Sequence, residues 1–156
     1  MQRVSKWLAL SWSDRLLVGV AAALLWSART MLYVIPFRWV WRVVGESSPG
    51  TRTDSSVEGS IGRVRMAIDR ASNGVSRPSC LTRGVTAAVM LRLMKLGHKL
   101  VIGVDKGEGG DFRAHAWVIS HGRIVTGDLP DLADFKSLPI SPPERLLHVD
   151  RDAAGV

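Results

Sequence analysis

Cysteine is nearly absent from this chain: Cys80 is the only one in 156 residues. A lone thiol excludes an internal disulfide framework and suits a reducing, cytoplasmic setting. No Cys/His cluster has zinc spacing, and neither a Walker loop nor a dinucleotide glycine motif occurs, so the sequence asks for no metal and no cofactor. Long apolar runs are missing too. The longest, residues 16–28, spans thirteen positions before Arg29 interrupts it, short of the ~20 a membrane span needs, though a tilted span with a snorkelling Arg29 stays open. Asp14-Arg15 abuts that run and no small-x-small site follows, which argues against a secretory signal. Acidic residues are scarce at one end only: through Gly45, six basic residues face Asp14 alone.

What is present supports one folded domain: 46% of the residues are hydrophobic and 22% charged, an ordinary globular balance. Three stretches separate by composition. Residues 1–45 form a hydrophobic helical segment carrying five of the six tryptophans. Ser13-Asp14 starts a helix there, Pro36 breaks it, and a second helix follows from Phe37. Residues 46–60 are rich in Gly, Ser, Thr and Pro and read as a linker. Residues 61–156 form the core. Ile61, Val64, Ile68 and Ala71 outline one helix; Leu81, Val85, Ala88, Val89 and Leu93 outline another, with Gly97 as its expected C-cap. Strands are expected at 99–104, 114–120 and 123–126, with a turn at 107–110 and one helical turn at 144–147. Helices followed by consecutive strands predict an α+β fold.

Cys80 falls at the first turn of its helix, where unpaired N–H groups and the helix dipole favour a thiolate. The strands after it carry His115 and Asp128. A two-residue turn at His121-Gly122 would set Ser120 opposite Arg123 and, continued in step, His115 opposite Asp128. Opposed Cβ atoms lie ~4.5–5.5 Å apart, close enough for a carboxylate to orient an imidazole. A one-residue bulge would break this register. Each residue also has a plainer reading. Cys80 could fill the core, and His115 could be a hydrogen-bonded strand residue. Asp128 could be a turn former, with Asp131 and Asp134 as rivals for the third role. Trp117 shares a strand face with His115 and either covers it, lines a substrate cleft or belongs to the core. Arg83, one turn into the Cys80 helix, either binds an acidic partner or is solvated.

The residues Cys80-Leu-Thr-Arg-Gly-Val-Thr-Ala-Ala-Val-Met, then Leu-Val-Ile-Gly-Val104, Ala-His-Ala-Trp-Val118 and Gly127-Asp128 together resemble the transglutaminase-like B proteins of lasso-peptide biosynthesis, in the split form called B2. The resemblance runs from Cys80 to about Asp128. Gly84 departs from it, standing where a serine is expected, and the first 45 residues look nothing like a winged-helix leader-recognition module. The resemblance implies a transglutaminase/papain-like core, with Cys80 on a helix N-terminus and His115 and Asp128 on adjacent antiparallel strands. It also implies a leader peptidase acting on a ribosomal precursor peptide. The implied partners are a separate leader-binding B1 protein and a lactam-forming synthetase. Two other functions stay open: a transglutaminase-like acyl transferase, and a non-catalytic partner-binding scaffold of the same fold. The basic, tryptophan-rich N-terminal helices suit packing, a partner surface or peripheral membrane contact. No nucleic-acid fold signature accompanies their charge.

Overall fold

Ser11 opens the first helix: its hydroxyl accepts from the Asp14 N–H at 3.2 Å and donates to the Asp14 carboxylate at 2.6 Å. The structure, a computed structural model, describes residues 10–47, 56–75, 78–106 and 111–138. Helix α1 (Trp12–Val34) continues through Arg29 up to the break expected at Pro36. It ends because Ile35 is extended, as a residue before proline prefers. Helix α2 (Phe37–Val44) follows Pro36. Of the linker expected over 46–60, Glu46–Ser47 is a short strand, β1, and residues 56–60 are the first turns of α3 (Ser56–Ser72). Small polar residues favour loops only weakly, and here Val57 and Ile61 bury the start of α3 against the core.

Helix α4 (Cys80–Leu93) stops before Gly97. Lys95 takes the left-handed conformation, with φ 57°. The Leu96 N–H reaches back to the Leu91 carbonyl and the Lys95 N–H to that of Arg92. These two bonds close the helix without glycine. Strands β2 (His98–Lys106), β3 (Phe112–Ser120) and β4 (Arg123–Thr126) then form an antiparallel meander. The free edge of β2 pairs with β1 near its start and with β5 (Lys136–Ser137) near its end. A 3-10 turn, Leu132–Asp134, precedes β5. The expected turns at 107–110 and 144–147 lie outside the described residues.

The helices cover one face of the sheet. Ala87, Ala88 and Leu91 of α4 share a buried core with Leu100, Ala116, Val118 and Val125 of the strands. Val18, Ala21, Leu25 and Ala28 of α1 join the same core, on the three- and four-residue spacing of one helical stripe. Asp14 ties α1 to α3 through Arg63 at 2.9 Å. The other sheet face carries a smaller cluster of Val101, Trp117 and Phe135.

The β3–β4 turn forms at His121-Gly122, both with positive φ (48° and 75°), the geometry of a two-residue hairpin. Ser120 pairs with Arg123 and Ile119 with Ile124, as the sequence predicts. Then the register slips: Val118 pairs with Thr126 instead of Val125, across a bulge. The step-by-step ladder that would set His115 opposite Asp128 therefore does not form, and the strand ends at Thr126. Val125 and Thr126 are both buried. The bulge shifts by one residue which part of the chain after Val125 lies opposite β3.

Candidate active site

Cys80 is the first residue of α4. Ser79 caps that helix, its hydroxyl accepting the Thr82 N–H at 3.1 Å and its carbonyl the Arg83 N–H at 3.0 Å. By helix geometry this leaves the N–H groups of Cys80 and Leu81 without intrahelical acceptors, beside a half-buried thiol. The thiol is thus carried by the residue at the positive end of the helix dipole.

His115 sits on β3, paired with Gly103 of β2. Its Nε2 lies 2.9 Å from the Gly127 carbonyl oxygen. A carbonyl can only accept, so Nε2 carries the proton and neutral His115 keeps its lone pair at Nδ1. Gly127 makes this contact in a conformation few other residues could hold. Its φ is 83°, and a Cβ there would fall 2.5 Å from the Ala116 oxygen. The imidazole is flanked by Trp117, near-parallel at 6.3 Å between ring centres, and by Phe135, tilted at 5.7 Å.

Cys80, His115 and Asp128 line one cavity of about 340 Å³, together with Gly127, Arg65 and Arg83. The sequence-identified trio is thus gathered in space, by a route other than the expected one. The hydrogen bond that fixes the imidazole comes from the Gly127 backbone, while Asp128 is exposed at the cavity wall. Arg83 faces the cavity too, ion-paired with Asp69 of α3. Trp117 is buried beside His115 and is not part of the cavity lining.

Two groups escaped sequence reasoning. Arg113 lies two residues before His115 and bonds the Asp131 carboxylate at 2.7 Å while also pairing with Asp105. That guanidinium, with a smaller contribution from His115, holds the Asp131 carboxyl below the usual carboxylate range. Strand alternation places Arg113, His115 and Trp117 on one face, so the neighbourhood was readable; its acidic partners were not. Gly127 was read only as a companion of Asp128. Among the described residues, no three His, Cys, Asp or Glu side chains are grouped to hold a metal ion.

The family model described as the transglutaminase-like superfamily matches residues 22–139. No curated protein and no solved structure matches this chain.

Proposed function

The chain belongs to the transglutaminase-like superfamily, and from that premise we propose that it is a cysteine peptidase removing the leader from a lasso-type ribosomal precursor peptide. The observation that carries the reading is the shared cavity: a thiol at a helix N-terminus and a histidine whose proton is pinned on Nε2. Cys80 Sγ attacks the scissile carbonyl carbon and its proton passes to His115 Nδ1. The imidazolium keeps its Nε2–H on the Gly127 carbonyl and returns the Nδ1 proton to the leaving amine. Water, deprotonated by the same nitrogen, hydrolyses the thioester and frees the thiol. The N–H groups of Cys80 and Leu81 are the candidate donors to the oxyanion. Asp128 and Asp131 supply negative charge on the histidine side. A leader-binding protein would present the substrate, and a lactam-forming synthetase would take up the freed amine, both in the cytoplasm.

The test is mass spectrometry of a candidate precursor incubated with the protein and a leader-binding protein. Wild type is expected to cut one leader–core bond, and Cys80→Ala to lose at least about a thousandfold in rate, as removal of a nucleophile does. Cleavage by both proteins alike would remove Cys80 from the chemistry. An amine adduct in place of the free acid would identify acyl transfer.

A further inference from the structure

Helix α1 is apolar almost all round; the protein core buries its Val18, Ala21, Leu25 and Ala28 stripe, with Leu17, Ala22, Leu24 and Leu32 partly buried beside it. The opposite face is bare. Trp12 is 84% exposed, Trp26 56% and Tyr33 83%, with Leu16, Val20 and Val34 between and beyond them. Along residues 16–34 every exposed side chain of this helix is uncharged. Helix α2 extends the face with exposed Trp39 and Val43. Between the two helices and α4 runs an apolar groove of about 290 Å³, with Met31, Trp39 and Val43 at its rim and Val85 and Val89 at its wall. Folded monomers rarely leave so continuous an apolar surface in water.

Charge indicates what covers it. The segment through Gly45 carries one acid, Asp14, already bonded to Ser11 and Arg63. Its basic residues include Arg38 and Arg42, both exposed on α2, with the Arg42 guanidinium 4.8 Å above the Trp39 ring. Tryptophan, tyrosine and arginine around an uncharged apolar band are the composition of a membrane–water boundary, and a rim whose one acid is already ion-paired suits anionic headgroups. Because the buried stripe of α1 belongs to the same core as Leu100 and Val118, this helix lies along a bilayer and does not cross it alone. We propose that the outer face of α1 and α2 is a docking surface for an anionic lipid bilayer. Docked there, the protein presents α4, and with it Cys80, alongside the membrane.

Vesicle flotation of the full-length protein tests this, since aggregated protein stays at the bottom of the gradient. The vesicles are phosphatidylcholine alone or mixed with phosphatidylglycerol. Two double variants alter only exposed positions: Leu16→Gln with Trp26→Gln, and Arg38→Glu with Arg42→Glu. Circular dichroism melts confirm that each is folded. Wild type is expected to float with the anionic vesicles, less so at high salt, and each variant to lose about tenfold or more in partitioning. Flotation independent of lipid charge, variants that float like wild type, or no flotation at all would overturn the proposal. So would failure to float combined with loss, in the Leu16/Trp26 variant, of self-association or of binding to a leader-binding protein; the face would then belong to a protein partner.

Discussion

His115 is oriented by a backbone carbonyl, and this changes what its acidic neighbours are expected to do. In a triad held by a carboxylate, changing that acid to its amide costs about ten-thousandfold, because the histidine adopts the wrong tautomer. Here the Gly127 oxygen holds Nε2–H, so Asp128→Asn removes charge without releasing the ring. Its turnover is expected to fall only about ten- to a hundredfold, the range of an electrostatic contribution. Gly127→Ala is expected to be the graver change. Its Cβ would collide with the Ala116 carbonyl and Trp117, and φ near 83° adds roughly 1–2 kcal/mol of strain for any side chain. Steady-state kinetics on the two variants, with melts to separate unfolding from lost turnover, decide the point. A ten-thousandfold loss in Asp128→Asn would return the orienting role to the carboxylate.

At the scale of elements, α4 lies close on the sheet because one of its residues has no side chain. A Cβ on Gly84 would approach Leu100 Cδ1 to 2.8 Å, with Val118 and Ala116 just beyond. The serine expected at this position from the resemblance would have to displace the fully buried Leu100. Gly84→Ser recovers up to about 1 kcal/mol of helix propensity but overpacks the core by about 1–3 kcal/mol. Net destabilisation of about 1 kcal/mol or more is expected in urea unfolding. An unchanged or higher midpoint would show that the helix and sheet part without strain. Since α4 carries Cys80 and the sheet carries His115, such a shift is also expected to lower turnover.

Across the whole molecule, one buried histidine couples the helical layer, β1 and the sheet to pH. His98 begins β2, pairs in the ladder with Ser47 of β1, and is almost fully buried. Burial pushes its pKa below the ordinary 6.5, and Arg92 adds repulsion, against a Leu96 carbonyl that pulls the other way. The unfolded chain therefore takes up a proton on this residue at a higher pH than the folded one. Stability contributed by neutral His98 is complete above the unfolded value and declines as pH falls through about 6.5 toward the lower folded value. Melting temperatures between pH 7.5 and 5 are expected to drop, and the drop to be shallower in His98→Asn. Parallel curves for the two proteins would assign the acid sensitivity to other groups.

Several features were fixed locally and so were readable in the sequence. Helix α4 was legible because its period acts within a few residues, and that alone put Cys80 at a helix start; the Ser79 cap came with the structure. The hairpin was legible because His121-Gly122 determines its first two pairs. The end of α1 was legible because Pro36 holds Ile35 extended. Other features depended on parts of the chain distant in sequence. The bulge lies beyond the first two pairs that the turn determines, beside the buried Val125 and Thr126. Once it forms, the Gly127 carbonyl reaches His115 in place of the carboxylate that strand alternation would bring. Residue type and spacing thus determined which groups could react and which elements carried them. The tertiary structure decided which atom holds the imidazole, because a one-residue change of register exchanges the group that faces it.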